Sequence, residues 1–251
     1  MTRLPTDFLT RPIAHRGYHN KAEGVVENSL SAFAAAIAAR YPIELDLQLS
    51  RDGVAMVFHD DRLDRLTSET GPVRARDAAE LETMGLKGGT DRIATLATVL
   101  KQVNGAVPLL IELKDQHGAM GETDGALETA TLRALDDYRG PVALMSFNPH
   151  MVAKVAELSP DIPRGLIGCA WRKIDEPDVS VDRRAELATI PDFDRVGADF
   201  LSHDHTNLDA ARVEQLKSRG VPILCWTIRS PEQEQQARRI ADNITFENYA
   251  A

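Results

Sequence analysis

IELDLQLSRDGVAMVFHD, residues 43–60, holds two apolar runs separated by only Ser50 to Gly53. A parallel crossover needs about a dozen residues or more, so the two runs must pair as an antiparallel hairpin. In the first run Glu44 and Asp46 alternate with Ile43, Leu45, Leu47 and Leu49, which puts both acids on one face of a strand. Burying carboxylates costs several kcal/mol unless a cation or a hydrogen-bond network compensates. The second run ends on His59.

Outward from this hairpin, short runs rich in Val, Ile and Leu recur at 12–17, 107–114, 141–147, 164–168, 198–204, 221–228 and 243–249. Helical patterns lie between most of them, at 29–40, 96–103, 124–138, 150–159, 208–220 and 231–242, the last with Ser230 as N-cap and Pro231 in the first turn. Strands alternating with helices predict βα units around a parallel sheet. With 54–60 assigned to the hairpin arm, eight strands remain, the number of a (β/α)8 TIM barrel. The expectation is a single domain over residues 1–251. Residues 61–95 read as loops and short helices without a strand, placed as a small cap after strand two.

Composition narrows the function. The chain has 251 residues, 43% of them hydrophobic, so it can bury a sizeable core; its formal charge of −9 excludes a broad nucleic-acid footprint but not a local phosphate site. Cys169 and Cys225 both lie in apolar runs and read as buried free thiols. The opening MTRLPTDFLT lacks the apolar core of a secretory signal, and no apolar run approaches the ~20 residues of a membrane span. A cytoplasmic location is expected.

In parallel barrels the C-terminal strand ends carry the chemistry. There the pattern places His15 and Arg16 after the first strand, Glu44 and Asp46 in the second, and Glu112 and Lys114 in the third. A hairpin loop of two or four residues would set residue 59 opposite 44 or 46 and fold His59 over the acid face; an odd loop would turn it away. Three carboxylates without a nearby cysteine favour one hard divalent cation, Mg2+ or Ca2+, with Mn2+ also suitable. Arg16 offers a fork for phosphate oxygens and Lys114 a point charge. Two imidazoles can serve as base and acid. These parts fit metal-assisted cleavage of a phosphodiester.

The motifs HRG (15–17), ENS (27–29) leading into AF, E-L-D (44–46), DG (52–53), HDD (59–61) and IELK (111–114) resemble the glycerophosphodiester phosphodiesterase family in order and spacing. MSFNP (145–149), PRGL (163–166) and CWTI (225–228) extend the likeness more weakly. The resemblance implies a barrel that hydrolyses glycerophosphodiesters to sn-glycerol 3-phosphate and an alcohol, through a cyclic phosphate formed by a substrate hydroxyl. It implies a divalent ion on Glu44, Asp46 and Glu112, acid–base roles for His15 and His59, and phosphate contacts from Arg16 and Lys114. Glu27 and Asn28 would brace these groups. The chain departs from the pattern at Ser29, where threonine is usual; in the long, proline-free stretch 18–26; and at Glu247, where an aspartate often stands.

Other readings attach to single residues. Trp226, at the end of the seventh strand, is expected at the substrate rim, as are His19 and His117. His203 and His205, in SHDH at the end of the sixth strand, read as loop residues, with a far-rim position as the alternative. Asp60 and Asp61 would cap the following turn. Competing functions are a phospholipase of the same barrel group acting on inositol lipids or sphingomyelin, a non-catalytic phosphodiester-binding barrel, and a metal-dependent sugar isomerase. The partner expected is a small glycerophosphodiester.

Overall fold

The computed structural model describes residues 4–172 and 179–251. Its strands are β1 (Ile13–Ala14), β2 (Ile43–Leu49), β3 (Ala55–Val57), β4 (Ala94–Thr95), β5 (Leu109–Leu113), β6 (Val142–Ser146), β7 (Arg164–Gly168), β8 (Phe200–Asp204), β9 (Ile223–Ile228) and β10 (Asn243–Phe246). β2, β5, β6, β7, β8, β9 and β10 pair in parallel in that order, and β1 pairs with both β10 and β2. The eight strands therefore close a ring. β3 and β4 lie outside it, with β3 antiparallel to β2 and β4 antiparallel to β3. The TIM-barrel expectation holds. The region 61–95 does contain a strand, β4, whose two residues are too short to stand out from a loop in sequence.

Alternation along each strand divides the core in two. Leu45, Leu47, Leu109, Ile111, Leu113, Ile223 and Cys225 face the surrounding helices. Leu110, Ala143, Met145, Ile167, Phe200 and Leu224 pack inside the ring, with Phe8 filling its N-terminal end. A Cβ on Gly165 would lie 2.3 Å from the Phe200 ring, so this glycine is what admits the aromatic side chain to the barrel. Glu44, Asp46 and Glu112 occupy inward positions nearer the C-terminal mouth, where Asp46 and Glu112 are direct partners across β2 and β5.

The hairpin register differs from expectation. Leu47 pairs with Val57 and Leu49 with Ala55, so the loop Ser50 to Val54 has an odd length. The Ser50 hydroxyl accepts from the Val54 backbone N–H at 2.9 Å and closes this longer turn. Strand alternation alone would then turn residue 59 away from the acids. Instead β3 ends at Val57, and Met56 and Phe58 pack against Leu63, Leu66, Val73, Leu81, Leu86 and Ile93 in a separate apolar cluster over the hairpin. The chain bends after Phe58.

Candidate active site

The chain leaves β1 through two left-handed residues, Arg16 at φ 53° and Gly17 at φ 80°. A side chain at Gly17 would meet Ala32 Cβ at 2.8 Å, so the glycine of HRG serves both the turn and the close approach of the helix Leu30–Ala39. The turn aims the Arg16 backbone N–H at Glu44 Oε2, 2.8 Å away. Asn28, also left-handed, donates from Nδ2 to Asp46 Oδ2 at 2.8 Å and accepts from the Asp46 N–H at 3.3 Å.

Glu44, Asp46 and Glu112 are buried, and each offers a carboxylate oxygen within 4.8 Å of the others. Lys114 Nζ lies 2.8 Å from Asp46 Oδ1 and 2.6 Å from Glu112 Oε1, and Arg16 Nε lies 3.3 Å from Asp46 Oδ2. Burial pushes Asp46 up, but Lys114, His59 and Arg16 together outweigh it and hold the carboxyl well below its usual range. Glu112 is raised by burial despite Lys114. Glu44 is raised furthest from normal ionisation by burial and the two neighbouring acids, with Arg16 only partly opposing. Three buried acids beside Lys114 and Arg16 could hold a divalent ion, and the all-oxygen donor set suits a hard one. The residues fit the expected metal.

His15 Nδ1 meets Glu247 Oε2 at 2.6 Å, leaving Nε2 4.0 Å from Glu44 Oε2. Burial pulls the His15 imidazole down to about 4, Glu247 opposing, so it is neutral at neutral pH. Glu247 also meets Arg229 Nε at 2.7 Å and His19 Nε2 at 3.5 Å. Across the pocket His59 Nδ1 meets Asp60 Oδ1 at 2.7 Å. The His59 carbonyl accepts from Gln48 Nε2 at 3.0 Å, which ties the bend after Phe58 to β2. His59 thus reaches the site by leaving its strand. Asp60 grips His59 rather than capping a turn.

His15, Arg16, Glu44, His59, Glu112 and Lys114 line one cavity of about 180 Å3, with Met145, Phe147, Ile167, Ser202, Trp226 and Arg229 completing its wall. Trp226 packs edge-on against Phe147 at 5.5 Å and donates from Nε1 to the Ser202 carbonyl at 3.2 Å. A roomier groove at Thr129, Arg133, Leu158 and Ile162 lies on outer helices and gathers none of the motif residues. His203 is not a loop residue: it is fully buried in β8, turned to the helix side, with Nε2 3.2 Å from Asn207 Oδ1. The contacts of Arg65 with Glu27, of Arg229 with Glu247 and of Glu247 with His15 carry no signal in the sequence, because these partners are brought together by the fold and by no local spacing. Cys169 and Cys225 are buried, and neither is in a disulfide.

A pocket of this make-up at the C-terminal face of a parallel barrel marks an enzyme that handles phosphate esters. The model of the glycerophosphoryl diester phosphodiesterase family matches residues 15–246. YhdW of Bacillus subtilis is 30% identical over 225 residues, 87% of this chain and 86% of the relative. A glycerophosphodiester phosphodiesterase of Caldanaerobacter subterraneus subsp. tengcongensis is 28% identical over 246 residues, 94% of this chain and 93% of the relative. The solved structure of an Oleispira antarctica phosphodiesterase in complex with the product sn-glycerol-3-phosphate has a TM-score of 0.78 at 23% identity, covering 96% of this chain and 94% of that one. That likeness speaks for the fold. The chain belongs to the glycerophosphoryl diester phosphodiesterase family and is on that ground a phosphoric diester hydrolase. Among the described residues no helix is long and apolar enough to cross a membrane.

Proposed function

We propose that this protein hydrolyses glycerophosphodiesters to sn-glycerol 3-phosphate and an alcohol, with one divalent cation held by Glu44, Asp46 and Glu112. The observation that carries the reading is the group of three buried acids, two of which, Glu44 and Glu112, line a cavity together with two imidazoles, each gripped at Nδ1 by its own carboxylate. That grip favours the tautomer with the proton on Nδ1 and leaves Nε2 free for proton transfer. The neutral His15 is suited to take the proton of the attacking glycerol hydroxyl. His59, entering this step as the imidazolium with protons on both nitrogens, is suited to protonate the departing alkoxide from Nε2 and is left neutral on Nδ1–H. When water opens the resulting cyclic phosphate the two roles exchange. Arg16 and Lys114 would hold the phosphate oxygens, and a bound Mg2+, Ca2+ or Mn2+ would supply charge neutralisation at phosphorus. Glu27, 2.6 Å from Arg16 Nη1, and Asn28 would brace this set. Residues 61–95, packed on the outer arm of the hairpin, would serve as the cap within one domain.

The exposed large apolar side chains among the described residues, Leu158 and Val181, do not line the pocket, which weighs against the phospholipase reading and its need for an interfacial rim. The test is release of glycerol 3-phosphate from glycerophosphocholine and glycerophosphoethanolamine, followed through a coupled dehydrogenase with Mg2+, Ca2+ and Mn2+ supplied in turn. Turnover with at least one metal and loss in chelator is expected. Inactivity under all of them, or preference for phosphatidylinositol vesicles, would overturn the substrate assignment.

A further inference from the structure

Arg65 lies outside every motif that leads to the site. It sits in the cap segment, yet its guanidinium holds two acids at once. Nε donates to Asp60 Oδ2 at 2.7 Å and Nη2 to Asp60 Oδ1 at 2.8 Å. Nη1 donates to Glu27 Oε2 and Nη2 to Glu27 Oε1, both at 2.8 Å. Each acid has a pocket residue on its other side. Asp60 Oδ1 meets His59 Nδ1 at 2.7 Å, and Glu27 Oε1 meets Arg16 Nη1 at 2.6 Å. A continuous chain of charge-assisted contacts therefore runs from His59 through Asp60, Arg65 and Glu27 to Arg16.

We propose that Arg65 is a positioning residue that sets the imidazole of His59 and the guanidinium of Arg16 in register across the pocket. The proposal rests on the acid–base and phosphate roles assigned above. A single exposed ion pair is worth little. Here the fork grips both acids bidentately, which fixes direction as well as distance. A lysine is a point charge and cannot make both forks. Without the fork, Asp60 is free to swing from His59 Nδ1, and the imidazole loses the tautomer and orientation that aim Nε2 at the leaving oxygen. Glu27, in turn, no longer steadies Arg16. The first arm acts on kcat and the second on KM. Asp60 and Glu27 are close to Arg65 in space but 5 and 38 residues away in sequence, so the link depends on the cap being docked.

The experiment compares kcat and KM on glycerophosphocholine, with the activating metal saturating, for the full-length wild type and Arg65→Gln, Arg65→Lys, Asp60→Asn, Glu27→Gln and the double variant Asp60→Asn/Arg65→Gln. Arg65→Gln is expected to lower kcat about 10–100-fold, the range of a disturbed acid–base group, and to raise KM several-fold. Asp60→Asn should reproduce the kcat loss and Glu27→Gln the rise in KM. The double variant should lose little more kcat than Asp60→Asn alone, because both changes cut the same arm. Arg65→Lys keeps the charge and cap packing, so it decides the matter if Arg65→Gln fails to fold; it should recover only part of kcat. Normal kcat and KM in Arg65→Lys, or additive losses in the double variant, would overturn the proposal. His59→Ala separates the layers. If it is inactive while the Arg65 variants are normal, only the positioning role falls; if it is fully active, the acid–base reading falls and takes the proposal with it.

Discussion

Glu44→Gln should stabilise the metal-free protein while removing its response to metal. Glu44 is 2% exposed, and its Oε2 accepts a backbone N–H from Arg16 that a glutamine oxygen can also take. Its carboxylate stands within 4.8 Å of both Asp46 and Glu112. At that distance two unit charges repel by about 3–4 kcal/mol per pair in a medium of effective dielectric near 20, and Lys114 and Arg16 cancel much of it. A net relief of about 1–3 kcal/mol remains, equivalent to roughly 2–10 °C in Tm for a chain of this size. The sign of the pH dependence follows from the raised pKa of Glu44. Below the ordinary carboxylate range the folded and unfolded states both carry the proton, and variant and wild type should melt together. The gain should grow as pH rises through that range, where only the unfolded state releases its proton freely. In metal at a hundredfold excess over Kd the wild type should gain about 2.7 kcal/mol, and Glu44→Gln much less. Melting curves in chelator and in Mn2+, taken from pH 4 to pH 8, measure both effects. A lower Tm for the variant in chelator at neutral pH, or an undiminished metal response, would refute the reasoning.

Three further outcomes are expected. His15→Ala and His59→Ala should each lose at least about 100-fold in kcat on a glycerophosphodiester, the usual size of an acid–base contribution, and near-normal turnover in either removes that residue from the chemistry. Lys114→Met strips the ammonium from Asp46 and Glu112, so the chelated protein should lose about 3–5 kcal/mol of stability, largely restored by metal, while KM rises; equal losses in chelator and metal would contradict the shared site. Gly165→Ala drives a methyl into the Phe200 ring and should cost about 1–3 kcal/mol by thermal melting, whereas an unchanged Tm would show that the barrel interior yields freely.

The ring was legible because its strands are apolar runs separated by helical stretches, and because four residues cannot make a parallel crossover. The pairing of Asp46 with Glu112 follows from where the two acids fall in neighbouring strands. The hairpin register was not legible. It turns on which residue stands opposite Val54: the Ser50 N–H donates to the Val54 carbonyl at 3.0 Å and the Ser50 hydroxyl accepts from the Val54 N–H at 2.9 Å, which sets Val54 opposite Ser50. His59 arrives at the pocket because Phe58 is claimed by the apolar cluster of the cap and Gln48 holds the next carbonyl, neither of which shows in strand alternation. Glu247 and His15 are 232 residues apart and meet only because β1 and β10 close the ring. Burial of His203 follows from its alternation with Ser202 and Asp204 in β8, a strand whose polar end reads as a loop.

The most direct test of the account is an anomalous difference map from crystals soaked in Mn2+. It should show one strong peak bounded by carboxylate oxygens of Glu44, Asp46 and Glu112, with the Lys114 ammonium displaced from at least one of its two acids. A peak lodged instead among His15, His19 and Glu247, or no peak with Lys114 still seated on Asp46 and Glu112, would contradict it.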